Sequence, residues 1–162
     1  MRLLGLVADR LVAAIGADRV GVRLSPNGEV QGVNDSDPHA LFAAAAARLD
    51  QAGVAWIELR EPRPGSTFGA PDSDPVHPAI RKAFSRPLVL NQDYTADDAQ
   101  AVLDGGEADA IAFGRTFIAN PDLPRRLIEG LSLNEPDPTT FYTHEPKGYI
   151  DYPAWDEAAI AA

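Results

Sequence analysis

Four short apolar runs, each followed by a segment with helix start or stop signals, constrain the fold of this chain more than any other feature. The runs are VGVRL (20–24), VAWIEL (54–59), PLVLN (87–91) and DAIAFG (109–114). They are apolar at nearly every position, which is typical of strands that are buried on both faces of a parallel sheet. A strand and a helix therefore alternate four times, and this order favours a parallel sheet with right-handed crossovers.

Capping residues indicate where the helices of this alternation begin and end. Apolar residues at helical spacing predict a first helix over about 2–15, which ends near Gly16. A short helix is predicted over Val76–Phe84. Three other helices have start or end signals. Asp37 begins one that ends at Gly53, and Thr95 begins the next with Asp98 in a capping-box pattern. Asn120, followed by Pro121, begins the last, which ends at Gly130.

Length and composition limit the class of protein. The 162 residues, 45% of them hydrophobic, can form one domain with a core, so we expect residues 1–162 to be a single domain. The net charge of −10 disfavours nucleic acid and anionic membranes as partners. The absence of cysteine excludes disulfides, thiolate metal sites and a cysteine nucleophile. With no apolar membrane span and no signal-peptide pattern, we expect a cytoplasmic protein.

Polar residues gather where the predicted strands end. An open doubly wound sheet and a piece of a (β/α)8 barrel both fit the order of elements, and in both folds the site lies at the carboxyl ends of the strands. Arg23 interrupts the first apolar run, where an unpaired guanidinium is costly. It therefore needs either an ion pair with Glu58 or Glu61 or an anionic ligand, and the sequence leaves both possibilities open.

The pair Gly114 and Arg115 ends the fourth apolar run. Glycine lets a ligand approach the backbone closely, and arginine presents a forked donor that suits phosphate. Many such pairs are ordinary turns after strands, so the dipeptide alone does not identify a phosphate site. The histidines at positions 39, 77 and 144 have no spacing typical of metal ligands, so we expect no metal site and assign them surface or capping roles.

Several longer motifs carry a resemblance to a known family. They are GADRVGVRLSP (16–26), the Glu-Pro pair after the second run, LNQDYT (90–95), ADAIAFGRTFIANPDLPRRL (108–127), and LNEPDPTTFY with GYIDYP (133–153). In order and without large gaps, they resemble the C-terminal half of the old yellow enzyme family, the flavin-dependent ene-reductases. The resemblance implies a (β/α)8 TIM barrel of which this chain is about the last four β/α units, a half barrel. Residues 1–16 would form the helix before the fifth strand, 20–130 the four units and 131–162 a C-terminal tail.

The resemblance also implies roles for two residues in catalysis. Arg23 matches the arginine that reaches the N1/O2 edge of FMN and stabilises negative charge on the reduced ring. Tyr142 matches an aromatic residue that lies over the active site, and its alternative interpretation is a plain packing residue.

Binding of the FMN phosphate is implied at two segments. Gly114 and Arg115 match the residues that hold the phosphate, with the backbone of Phe113 beside them. The main chain after the third run approaches the same group, over Asn91, Gln92 and Asp93. Many members have a glycine in that segment, so Gln92 departs from the family pattern.

The function implied is that of an FMN-dependent NAD(P)H oxidoreductase that transfers hydride to an activated alkene. The family's substrate-orienting residues and its tyrosine proton donor belong to the first half of the barrel. We therefore expect either a second polypeptide that supplies the N-terminal half-barrel or self-association, because open strand edges invite pairing. The alternatives are a non-catalytic half-barrel that binds FMN or another phosphate, and an inactive fragment.

Overall fold

Helices and strands alternate in the first of two compact units of the chain. The computed structural model describes residues 1–28, 35–66, 69–71 and 73–156, and its second unit begins at Phe113. The elements of the first unit are α1 (Arg2–Ile15), β1 (Gly21–Leu24), α2 (Pro38–Ala52), β2 (Trp56–Arg60), α3 (His77–Ala83), β3 (Leu88–Asn91), α4 (Ala96–Asp104) and β4 (Ala110–Ala112).

The strands form one parallel sheet in the order β1-β2-β3-β4, as the alternation predicts. In the observed register Arg23 lies opposite Glu58, and Arg60 lies opposite Asn91. The second strand begins two residues later than its apolar run and extends to Arg60. The polar residues at the ends of β1, β2 and β3 therefore share one edge of the sheet.

The core lies on the face of the sheet that α1, α2 and α3 cover. Because side chains alternate along a strand, every second residue points to this face. The strand residues of the core are Val22, Leu24, Ile57, Leu59, Leu88, Leu90 and Ile111. Leu49 from α2 and Ile80 from α3 pack against them and are fully buried. Burial of a side chain of this size contributes about 1.5–3 kcal/mol.

The opposite face of the sheet is only partly covered, contrary to the burial predicted for both faces. Trp56 remains 39% exposed there, and the side chain of Arg23 is 53% exposed. The indole of Trp56 lies across β1 at Gly21, where a Cβ would stand 2.1 Å from a ring carbon. Glycine is therefore required beneath this ring. We call this partly exposed surface the inner face, and the strand residues that line it are Gly21, Arg23, Trp56, Glu58, Arg60, Val89, Asn91, Ala110 and Ala112.

The helix ends of the first unit follow the predicted capping signals. The Asp37 carboxylate accepts a hydrogen bond from the Ala40 N–H at 3.1 Å, and Gly53 ends α2 with a φ of 83°. Thr95 accepts from the Asp98 N–H at 3.1 Å, which is the predicted start of α4. No helix in the described ranges is long and apolar enough to cross a membrane.

The second unit contains two short helices and a tail. They are α5 (Arg115–Ala119) and α6 (Leu123–Glu129), and a 3-10 turn follows at Pro138–Thr140. The predicted helix start at Asn120 is wrong, because α6 begins after Asp122 and Asn120 ends α5. The Asn120 side chain instead bonds the Thr116 carbonyl and the Asn134 backbone. Gly130 ends α6 in the left-handed conformation, as predicted.

Candidate active site

Arg23 stands on the inner face, near the carboxyl end of β1. Its Nη1 lies 3.5 Å from a carboxylate oxygen of Glu58, and its Nη2 donates to the Asn91 side-chain oxygen at 3.4 Å. Asn91 in turn donates to the Ala112 carbonyl at 2.9 Å. Of the two acidic partners considered from the sequence, the structure brings Glu58 to Arg23. The Arg23 side chain as a whole remains about half exposed beside these contacts.

Glu61, the other acidic candidate, has a different role. Its buried carboxylate accepts hydrogen bonds from the Val76 N–H at 2.5 Å and from Nδ1 of His77 at 2.8 Å. Asn27 also donates to it, at 3.3 Å. Glu61 therefore ties the segment after β2 to the start of α3, and burial of its charge is compensated by these donors.

His77 lies between two carboxylates, so the surface or capping role assigned from the sequence is wrong. Its side chain is 15% exposed, and Nε2 lies 3.0 Å from Glu107 while Nδ1 contacts Glu61. Burial disfavours the imidazolium, but the hydrogen bonds and negative charges of Glu61 and Glu107 outweigh it and raise the pKa of His77 above 6.5.

The raised pKa of His77 predicts a pH dependence of stability. The stabilisation is fully present below the ordinary histidine pKa of 6.5 and is lost as pH rises through the higher pKa of the folded state. Urea titrations should therefore show a fall in unfolding free energy above pH 6.5. The His77→Gln variant should lose this slope, and an identical pH dependence in both proteins would contradict the assignment.

The segment after β3 turns sharply at Gln92 and Asp93. Both residues have positive φ angles, 109° and 55°, and Gln92 is buried. A φ of 109° is strained for a residue with a Cβ and suits glycine. The local backbone therefore gives a physical reason why glycine is common in this segment of the resembling family.

Replacing Gln92 tests this strain directly. Gln92→Gly and Gln92→Ala lose the same side-chain contacts but differ in tolerance of the φ of 109°. Glycine relieves strain of about 1–3 kcal/mol and loses about 0.5–1 kcal/mol to the entropy of the unfolded chain. We expect the glycine variant to be the more stable by about 1 kcal/mol in urea denaturation. A glycine variant less stable than the alanine variant by about 0.5–1 kcal/mol, which is the entropy loss alone, would show that position 92 is unstrained.

In the second unit, Gly114 and Arg115 form the start of α5 rather than the end of a strand. The Gly114 carbonyl accepts hydrogen bonds from the Phe117 and Ile118 N–H groups at 2.9 and 3.1 Å. A Cβ at Gly114 would meet no described atom within 4 Å, so packing does not account for this glycine. Its φ of −101° and ψ of −88° lie outside the usual helix and strand regions, a conformation that suits glycine.

A network that the sequence reasoning missed holds the tail of the second unit. Arg126 is 1% exposed, and its guanidinium bonds Asp122 at 2.6 Å and the carbonyls of Ser132 and Pro153 at 2.9 Å. Asn134 adds bonds to the carbonyls of Ala119 and Pro153, at 2.8 and 2.9 Å. The sequence signal is only the pair Arg125-Arg126, and nothing in it distinguishes the buried arginine from the exposed one.

Tyr142 lies in this tail with 95% of its surface exposed. The alternative interpretation as a packing residue is therefore not met in the described structure. Glu58 was one of two acidic candidates from the sequence, and the parallel register, which places it opposite Arg23, is a property of the folded sheet.

Comparisons with known proteins show that the chain is similar to a family of flavin enzymes. The sequence model described as the NADH:flavin oxidoreductase / NADH oxidase family matches residues 1–134. A putative 12-oxophytodienoate reductase 3 of Oryza sativa subsp. japonica is 39% identical over an alignment of 153 residues, and the match covers 93% of this chain and 40% of the relative.

Solved structures give the same relationship. The old yellow enzyme homologue from Zymomonas mobilis is 53% identical with a TM-score of 0.91, over 94% of this chain and 43% of that protein. Morphinone reductase in complex with tetrahydroNAD is 41% identical with a TM-score of 0.81, over 94% of this chain and 40% of that protein. The chain thus spans less than half the length of these relatives. Their likeness decides between the two architectures in favour of half of a (β/α)8 barrel.

Proposed function

Because the chain belongs to the NADH:flavin oxidoreductase / NADH oxidase family, we propose that it is the C-terminal, FMN-binding part of an NAD(P)H-dependent ene-reductase. When bound, FMN would take a hydride from NAD(P)H and pass it to the β-carbon of an activated alkene, whose α-carbon takes a proton. The observation that carries the proposal is the half-exposed side chain of Arg23, whose guanidinium is held on the inner face at the carboxyl end of β1. This is the edge at which barrel enzymes bind their ligands.

For Arg23 we propose contact with the N1/O2 edge of the flavin. Two contacts, to Glu58 and Asn91, occupy only part of the five N–H donors of a guanidinium. Its positive charge would stabilise the negative charge that develops on the reduced ring. Tyr142 is proposed as the aromatic residue over the substrate, and its exposed ring supports this role.

For the FMN phosphate we propose Gly114 and Arg115, with the backbone of Phe113. The open space at Gly114 supports close approach of a phosphate to the main chain. Arg115 is the first residue of α5, so its forked guanidinium lies close along the chain to the N–H groups of the first turn.

The segment after β3 is proposed as a second contact to the phosphate. Asn91, Gln92 and Asp93 would act here through their backbone, because the positive φ angles at 92 and 93 reverse the chain direction at the end of β3. Gln92 itself is buried and does not have to reach the ligand.

The partner proposed for this chain is a polypeptide segment with the first four β/α units of the barrel. β1 and β4 are the edges of the sheet, and each has a side that no described strand pairs. Next to β1 in sequence, α1 exposes a stripe of apolar residues: Leu3, Leu6, Val7, Leu11 and Ile15, each at least 45% exposed. Such a stripe on a helix that already packs on α2 is typical of a protein interface. Self-association through the same edges is the competing arrangement.

The test combines this chain with the part of the Zymomonas mobilis homologue that it does not match. We expect the co-expressed pair to retain FMN, seen by flavin absorbance, and to reduce an α,β-unsaturated ketone with NAD(P)H. Each part alone should show no turnover. FMN retention without turnover would favour the binding-only alternative, and a pair that retains no FMN would refute the proposed function. Light scattering separates a one-to-one pair from self-association.

A further inference from the structure

A row of polar contacts crosses the inner face of the sheet from β1 to β4. Arg23 on β1 meets its register partner Glu58 on β2 at 3.5 Å. The same guanidinium donates to Asn91 on β3 at 3.4 Å, and Asn91 donates to the Ala112 carbonyl on β4 at 2.9 Å. Both Nη atoms of Arg23 are therefore engaged, Nη1 by a residue of β2 and Nη2 by a residue of β3.

Stability does not account for the acidic member of this row. The side chains of Arg23 and Glu58 are 53% and 26% exposed, and ion pairs of such exposure contribute little to folding. The separation of 3.5 Å is also longer than a tight charge-assisted hydrogen bond. Asn91 also bonds the guanidinium, at 3.4 Å, whereas Glu58 adds a negative charge next to it.

We propose that Glu58 is a positioning residue that lowers the reduction potential of the flavin through Arg23. This inference rests on the proposed function, in which Arg23 contacts the flavin edge. Glu58 draws the guanidinium toward β2 and offsets its charge, so that Arg23 stabilises the reduced, anionic ring less than a lone arginine would. The chain thereby sets how readily the bound flavin accepts hydride from NAD(P)H and gives it to the alkene.

The physical basis is the interaction of nearby charges in a partly desolvated site. A unit charge several ångströms away still interacts appreciably at the effective dielectric constant of about 20 that suits protein sites. Glu58→Gln removes the charge but keeps the length of the side chain and an oxygen that accepts from Arg23. The variant therefore changes the electrostatics of the guanidinium while Asn91 continues to orient it.

The experiment measures the flavin reduction potential in the complemented protein by spectroelectrochemical titration. Glu58→Gln should favour reduced over oxidised FMN by roughly tenfold, which for two electrons is a rise of about 30 mV. Arg23→Met should shift the potential in the opposite direction. In the Arg23→Met background, Glu58→Gln should shift the potential less than in the wild type, because the carboxylate then has no guanidinium to hold.

Asp9→Asn provides a matched control. Asp9 pairs with Arg48 across α1 and α2, on the opposite face of the sheet, so its variant also removes one carboxylate from an arginine. Its potential should equal that of the wild type.

The outcomes separate this inference from the proposed function. A complemented wild type that takes up no FMN overturns both. FMN uptake with a potential in Glu58→Gln that is unchanged or lowered overturns only the role of Glu58. Equal shifts in the wild-type and Arg23→Met backgrounds would show that Glu58 acts on the flavin directly, and would overturn its action through Arg23.

Discussion

Replacing Arg126 with methionine should destabilise the second unit by about 3–5 kcal/mol, the cost of breaking a buried ion pair by removing one partner. The side chain is 1% exposed, and its guanidinium bonds Asp122, Ser132, Asn134 and Pro153. Methionine keeps much of the apolar stem but leaves these acceptors without their shared donor. The tail should then detach from α6.

Arg125 offers a matched control one residue away. It is 44% exposed and bridges Glu129 and Asp156 at the surface, where ion pairs contribute about 0–1 kcal/mol. Urea unfolding can be followed through Trp155, which lies 5.8 Å from the Arg126 guanidinium, in a Trp56→Phe background that leaves this single tryptophan. If Arg126→Met lowers the free energy of unfolding by no more than Arg125→Met does, the proposed importance of the buried network is contradicted.

The second large effect is expected at Arg115. If it holds the FMN phosphate, Arg115→Ala should weaken FMN binding by about 1.5–3 kcal/mol, or roughly tenfold to 150-fold, as for other hydrogen bonds to charged groups. Arg115→Lys should be intermediate, because it keeps the charge and loses the fork. Quenching of flavin fluorescence by the complemented protein measures these affinities.

Arg125→Ala is the control for general charge effects on FMN binding. It removes an exposed arginine that engages Glu129 and Asp156, and it should leave the affinity unchanged. Raising the salt concentration should weaken binding less in Arg115→Ala than in the wild type, because fewer charges then contact the phosphate. Equal affinity in the wild type and both Arg115 variants would identify Gly114 and Arg115 as an ordinary turn.

Local rules predicted most of the first unit well. Asp37, Gly53 and Thr95 act through contacts within a few residues of themselves, so their capping roles were readable from the sequence. The same rules failed at Asn120, which has the sequence context of a helix cap. Its side chain bonds Asn134, 14 residues away, and this contact exists only after the tail has folded back.

At the candidate site, too, some features were predictable from nearby residues and others depended on distant parts of the chain. Arg23 was conspicuous in the sequence because a charge in an apolar strand requires a partner, and Glu58 and Glu61 both remained candidates for that partner. The choice of Glu58 over Glu61 depended on Glu61 being taken up by His77 and the Val76 N–H, which belong to a helix start 15 residues further on. The pattern of apolar residues does not encode that competition.

The sequence by itself determined the order of elements, the parallel sheet and the family. Apolar periodicity, helix caps and the motif over 108–127 depend only on residues that are near one another in the sequence, so they can be recognised without the structure. Only the tertiary structure decided which charges are buried. Arg125 and Arg126 are adjacent and chemically identical, yet the turn of α6 directs one to solvent and the other beneath the tail. Likewise His77, one of three scattered histidines in the sequence, becomes a hydrogen-bonded link because folding brings Glu61 and Glu107 to its two ring nitrogens. Burial and long-range pairing depend on distances between distant parts of the chain, and folding alone creates those distances.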